Sequence, residues 1–363
     1  MDFYCNYKAF IINYLMEEPK VLTFGSINID EFFEVPHIVS SGETITSSKY
    51  SQKAGGKGAN QSVALAKAGA LVWHAGKIGH DGTWIKEYMK EFGVKVDHII
   101  ISEDQPTGRA FIQVSQETRD NSIVLLPGTN HMISLNEARN ILNWEFGIGD
   151  WVIMQNEIGQ IGGEILKLCK EKAPISENIT SVFSFNLIDY LIVNKLEAFQ
   201  LYKQISESNC DDKNISAHDL LTFISNEYQQ IIGIIITFGS EGLYAWYRPE
   251  QRIFNLPAFK TKVLDTTGAG DTFAGYFITS IVRDLKCRKG DVSNLSIPIT
   301  DVNSSMILPT AEGFLNALKE ATIAAGLAVG RLGAMESIPS FNDVHRNKTI
   351  FDTELRKRNQ LIT

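Results

Sequence analysis

From Lys20 onward the chain alternates short β-branched apolar runs with amphipathic stretches of helical period, a rhythm that restricts it to a parallel sheet covered by helices on both faces. Residues 21–24, 72–78, 151–155, 190–193 and 231–237 read as strands, and residues 58–69, 83–92, 161–171, 195–205 and 217–228 as the helices around them. Parallel neighbours need such crossovers. The expected fold class is therefore α/β, a doubly wound and mainly parallel sheet flanked by helices. Ligands of such sheets sit at the carboxyl ends of strands, which makes Gly25-Ser26-Ile27-Asn28-Ile29-Asp30, after the first strand, a candidate contact segment.

Two regions break the rhythm. Residues 31–52 and 96–115 are short, extended and punctuated by Pro36, Gly42, Pro106 and Gly108, which predicts a small β-sheet lid on a main domain spanning residues 20–345. Residues 287–310 lack both periods and read as a long loop insertion whose interior could be deleted with little effect on folding. An apolar, aromatic extension (residues 1–19) precedes the domain and a charged tail (residues 346–363) follows it.

With 34 Lys and Arg against 42 Asp and Glu, the net charge of −8 has the wrong sign for a protein that lives on nucleic acid or anionic lipid. Apolar runs are strand-sized, so no membrane partner is expected. The cysteines at 5, 169, 210 and 287 stand apart from one another and read as reduced thiols, with the cytoplasm as the expected address and the nucleus as an additional one.

The most informative stretch is Asp265-Thr266-Thr267-Gly268-Ala269-Gly270-Asp271, followed by the apolar helical pattern from Phe273. Small residues at 268–270 admit close approach of a ligand, and unpaired N–H groups at a helix start form an anion site. A carboxylate in that turn would repel phosphate. Asp271 makes sense as a base that takes a proton from an attacking hydroxyl while the amides of Gly268, Ala269 and Gly270 stabilise a transferring phosphoryl group; alternatively it only complements the helix dipole. A second glycine-rich turn, Gly55-Gly56-Lys57-Gly58-Ala59-Asn60-Gln61, fails the Walker A pattern at Ser51 and Gly58 and the dinucleotide fingerprint at Gln61.

Together these three segments, in this order over residues 20–339, resemble the ribokinase branch of the PfkB-type carbohydrate kinase family. The resemblance implies ATP-dependent phosphorylation of D-ribose to ribose 5-phosphate, with Asp271 as general base; other family substrates (fructose, deoxyribose, pseudouridine) and an impaired, sugar-binding pseudokinase are the alternatives. It implies sugar contacts from Asn28, Asp30, Gly56, Lys57, Asn60, Glu157 and Asp271. On the nucleotide side it implies Asn194, Thr237, Gly239, Gly242 and Gly270, with Glu197 holding Mg²⁺ through water. A K⁺ site is implied at Asp265, Thr267, Ala328, Arg331, Gly333 and Ser337, and a homodimer joined through the lid. Two departures stand out. Ser184-Phe185-Asn186-Leu187 runs almost straight into Asp189-Tyr190, so a strand or loop is expected to be missing or compressed there. In the last helix, Ala321 and Thr322 stand where the family often places Asn or His near adenine, so adenine contacts are expected to be apolar or through the backbone.

Overall fold

The computed structural model describes residues 19–118, 120–143, 150–170, 175–178, 187–206, 215–292 and 308–360. Its strands are β1 (Lys20–Phe24), β2 (Asn28–Val35), β3 (Lys49–Gly55), β4 (Leu71–Gly79), β5 (Lys95–Ser102), β6 (Gly108–Ser115), β7 (Asn121–Leu126), β8 (Trp151–Gln155), β9 (Ile175–Asn178), β10 (Tyr190–Asn194), β11 (Gly233–Thr237), β12 (Leu243–Tyr247) and β13 (Arg252–Leu256). The helices are α1 (Lys57–Ala68), α2 (Thr83–Glu91), α3 (Leu135–Leu142), α4 (Gly162–Lys170), α5 (Lys195–Ser206), α6 (Ala217–Glu227), α7 (Ala269–Val292), α8 (Ala311–Val329) and α9 (Phe341–Gln360). None of the described helices is long and apolar enough to cross a membrane.

Nine strands form the main sheet in the order β13-β12-β11-β10-β9-β8-β1-β4-β5, parallel from β5 through β11 and antiparallel at the β11-β12-β13 end. Each face carries its own core, as the continuous apolar strands require. Val21, Ile153, Ile192 and Ile235 pack with α1, α7 and α8 on one side. Leu22, Val152, Leu191 and Ile234 pack with α3, α4 and α6 on the other. Each fully buried Leu, Ile or Phe in these layers stabilises the fold by about 1.5–3 kcal/mol.

A second sheet, β3-β2-β6-β7, stands as the expected lid. Its membership differs from the sequence expectation: residues 95–102 pair with β4 at the edge of the main sheet, where Val96 and Ile99 join the core, and the lid is completed instead by residues 121–126. Alternating strands look alike whichever sheet they join.

The expected gap before Tyr190 is also corrected. Residues 175–178 supply β9, which bridges β8 and β10 and keeps the sheet continuous; residues 184–186 lie outside the described residues, as do residues 1–18. Helix α7 runs to Val292, so residues 287–292 are helical where a loop was expected, and residues 293–307 lie outside the described part. The tail is helical through Gln360 because Val344 and Phe351, one face of α9, are buried in the core and Asp352 Oδ1 accepts from Lys319 Nζ at 2.7 Å.

Candidate active site

The order of strands reverses at β1, whose neighbours β4 and β8 lead the chain to opposite halves of the sheet. A crevice opens at such a switch point. Here it is closed from below by the first turn of α1: a Cβ at position 58 would lie 2.5 Å from Gly25 Cα, so only glycine lets helix and strand end meet. Gly56 provides the preceding turn at φ +94°, and Ala59 N–H donates to Ser26 O at 2.9 Å.

This packing directs two amides of α1 at the head of α7. Asn60 Nδ2 donates to Asp271 Oδ2 at 3.0 Å, and Gln61 Nε2 donates to Asp271 Oδ1 at 3.1 Å. Gln155 Nε2, at the end of β8, donates in turn to Gln61 Oε1 at 2.6 Å and fixes its orientation. Burial pushes the Asp271 carboxyl up to about 6, against the hydrogen bonds from Asn60 and Gln61 and the charge of Lys57, which pull it down. A carboxylate poised there is ionised at neutral pH and basic enough to accept a proton. Gly268, Ala269, Gly270 and Thr266 line a cleft beside it with Lys57, Asn194, Glu197 and Thr237.

On the lid side, Asn28 and Asp30 begin β2, each 8% exposed, in register with Gly55 and Lys53 of β3. Burial, then the negative charges of Glu157, Asp271 and Glu336, push Asp30 up to about 7, with Lys53 opposing. Glu157 follows β8; its Oε2 accepts from Ser26 Oγ at 2.6 Å and its Oε1 lies 3.7 Å from Lys57 Nζ. Lys57 also lies 3.9 Å from Glu197 Oε1, so its ammonium bridges the carboxylates of Glu157 and Glu197. Burial alone would lower its pKa, but Glu157, Glu197 and Asp271 outweigh it and hold the ammonium above its usual range.

Asn194 and Glu197 cap α5 reciprocally: Asn194 N–H donates to Glu197 Oε2 at 2.8 Å and Glu197 N–H to Asn194 Oδ1 at 2.9 Å. The cap leaves Glu197 Oε1 facing the cleft through Lys57, a single carboxylate suited to Mg²⁺ that keeps its water shell and arrives with phosphates. Gly239 and Gly242 form the β11–β12 turn, where Phe238 N–H donates to Gly242 O at 2.8 Å; of this loop only Thr237 lines the cleft. Ala321 and Thr322 are buried in α8, with Thr322 Oγ1 donating to Leu318 O at 2.8 Å, so the two positions expected near adenine face the core.

The expected cation loop is assembled around one carboxylate. Asp265 Oδ1 accepts from Thr267 N–H at 2.9 Å and Oδ2 from Gly333 N–H at 3.0 Å, which joins the segment before α7 to the one after α8. Ala328 is buried at the end of α8, and Ser337 Oγ donates to Ala334 O at 2.8 Å. The Arg331 side chain turns outward to Asp343, so only its backbone is available to the loop. A large monovalent cation here would be held by the Asp265 carboxylate and by backbone carbonyls of these two segments.

Sequence reasoning placed Ser26 in a candidate contact segment without a role, and missed Gln155 and Asn130 as members of the site. Asn130 sits in a short 3₁₀ turn (Gly128–Met132), 2% exposed, and its Nδ2 donates to Asn28 Oδ1 at 2.7 Å. The Pro127-Gly128 pair before it was the only local signal, and it marks a turn without indicating a site.

The pfkB family carbohydrate kinase profile matches residues 18–148 and 177–340. A ribokinase of Haemophilus influenzae is 32% identical over 318 residues, covering 83% of this chain and 99% of its own length. The crystal structure of a ribokinase from Cryptococcus neoformans var. grubii in complex with ADP superposes with a TM-score of 0.70 at 32% identity, covering 91% of this chain and 99% of that one. A ribokinase structure from Thermotoga maritima gives a TM-score of 0.72 at 25% identity, covering 90% and 98%. The matched residues take in both glycine turns and the buried carboxylate at the head of α7, and they span most of the chain: the chain belongs to the pfkB family of carbohydrate kinases.

Proposed function

We propose that this kinase transfers the γ-phosphoryl group of ATP to the 5-hydroxyl of D-ribose. The observation that carries the reading is the pair of amide bonds from Asn60 and Gln61 to Asp271, which hold a buried, basic carboxylate between the Asn28–Asp30 side of the crevice and the Gly268–Gly270 turn. The 5-hydroxyl proton passes to Asp271, the oxygen bonds to the γ-phosphorus, the bond to the β–γ bridging oxygen breaks, and ADP leaves. N–H groups at the start of α7 and the Lys57 ammonium stabilise the charge on the transferring group. Mg²⁺ entering with ATP would be held through water by Glu197 and Asn194 and would neutralise phosphate charge. Ribose should give the highest kcat/KM in an ADP-release assay against 2-deoxyribose, fructose, adenosine and pseudouridine; a tenfold preference for another member of the panel would refute the substrate and leave the kinase.

The Asp265 loop supports a K⁺ site made of that carboxylate and the carbonyls of the 265–267 and 328–337 segments. An ion there never meets ATP, yet it orders Thr267–Gly270 and acts by linkage. ADP should bind more tightly in K⁺ than in a tetraalkylammonium salt at matched ionic strength, and turnover should rise in parallel. Asp265→Ala should remove both responses; equal ADP affinity in the two salts would rule the site out. We also propose a homodimer joined through the lid, because β7 leaves Ile123, Val124, Leu125 and Leu126 between 44% and 64% exposed on an unpaired edge. The cytoplasm, and not the nucleus, is its proposed location.

A further inference from the structure

The direction of one amide in the sugar crevice is set by a backbone group. Ile27 N–H can only donate, and its acceptor is Asn130 Oδ1 at 2.9 Å. That contact fixes which end of the Asn130 amide is oxygen. Its Nδ2 therefore points the other way, to the Asn28 side chain at 2.7 Å, and because Nδ2 only donates, Asn28 must meet it with Oδ1. Both residues are buried, at 2% and 8% exposure, so water does not compete for these groups. Position 108 admits the bond only as glycine: a Cβ there would lie 2.2 Å from Asn130 Nδ2 and 2.4 Å from Asn28 Oδ1.

We infer that Asn130 is a positioning residue for sugar recognition, which holds the Asn28 amide so that its Nδ2–H, and not its Oδ1, is offered to a substrate hydroxyl. The inference rests on the ribose kinase reading. Asn28 then supplies a donor and Asp30, two residues along the same strand, supplies acceptors. A neutral polyol hydroxyl, itself both donor and acceptor, satisfies the pair.

Asn130→Asp separates this role from a structural one. The aspartate still accepts from Ile27 N–H, so the turn keeps its anchor, but it cannot donate to Asn28. It draws Asn28 Nδ2 to itself and turns Oδ1 toward the sugar. Calorimetric titration with ribose and, separately, with ADP is the measurement, made on wild type, Asn130→Asp, Asn28→Ala and the double variant, each first checked for a cooperative thermal transition. Asn130→Asp should weaken ribose binding by roughly tenfold or more, the scale of one mismatched buried hydrogen bond, and leave ADP binding within about twofold. In the Asn28→Ala background the same substitution should cost less than about twofold, since a residue acting through Asn28 has nothing left to orient. Asn130→Ala, which adds no charge, should lose ribose affinity by roughly three- to tenfold.

Ribose binding within twofold of wild type in Asn130→Asp, equal loss of ribose and ADP, or additive losses in the double variant would each overturn the inference. Wild type that ignores ribose but binds another sugar of the panel would refute the substrate reading instead, and the same four-way cycle run with that sugar then decides the role of Asn130. Wild type that binds no sugar overturns both.

Discussion

Replacing Asp271 with Asn is expected to lower kcat by about 10²–10⁴ while ribose binding stays within a few-fold of wild type. The amide keeps the shape of the side chain but cannot take up the hydroxyl proton. Its two neighbours adapt unequally: the oxygen of the introduced amide still accepts a bond, whereas its nitrogen meets a second donor from Asn60 or Gln61. The wild-type profile gives an independent reading. With the carboxyl pushed up to about 6 in the free enzyme, kcat/KM should fall roughly tenfold per pH unit below that value as the base is protonated. The variant should show no such limb. Turnover within threefold of wild type would reduce Asp271 to a helix-start residue.

A second large effect is expected at Asp30, and it concerns stability as well as binding. Its carboxyl titrates at about 7 in the fold against 3.8 outside it, so the folded state holds the proton more tightly. A group of this kind contributes most to stability below its unfolded pKa and loses that contribution as pH rises through its folded pKa. At pH 8 the buried carboxylate is ionised beside Glu157, Asp271 and Glu336 and costs the fold a few kcal/mol, at about 1.4 kcal/mol for each pH unit that separates the folded and unfolded titrations. Asp30→Asn should accordingly melt about 5 °C above wild type at pH 8 and close to it at pH 5. The same variant should bind ribose roughly 30- to 100-fold more weakly, because an amide cannot accept at both ends. A melting difference that does not change between pH 5 and pH 8 would refute the linkage, whatever the ribose affinity.

Several features of the site were legible in the letters because they are local. The glycines at 56 and 268 serve turns at φ +94° and +73°, and the residues that must follow a strand end or open a helix, such as Asn28, Glu157, Asn194 and Asp271, are marked by their place in the alternating pattern. The reading failed where assignment depended on distant partners. Residues 95–102 alternate like lid strands and yet pair with β4; residues 175–178 are too short and polar to announce β9; and α9 is polar enough to pass for a tail, since its burial rests on the narrow face carrying Val344 and Phe351.

The amino-acid sequence by itself determined the α/β rhythm, the family, and which loops carry glycine, carboxylate and amide, because each of these depends on dihedral preference and periodicity within one or two turns of chain. Tertiary structure alone decided what those groups do to one another. Asn60 and Gln61 reach Asp271 across more than 200 residues, and Asn130 reaches Asn28 across 102. No local pattern encodes such pairs. They exist because packing Gly58 onto Gly25 brings α1 to the end of β1, and because polar groups buried away from water cost least where they pair, as both Asp271 oxygens do with Asn60 and Gln61. The same enclosure that supplies the partners raises Asp30 and Asp271, so the acid–base character of the site belongs to the fold and not to the residue types.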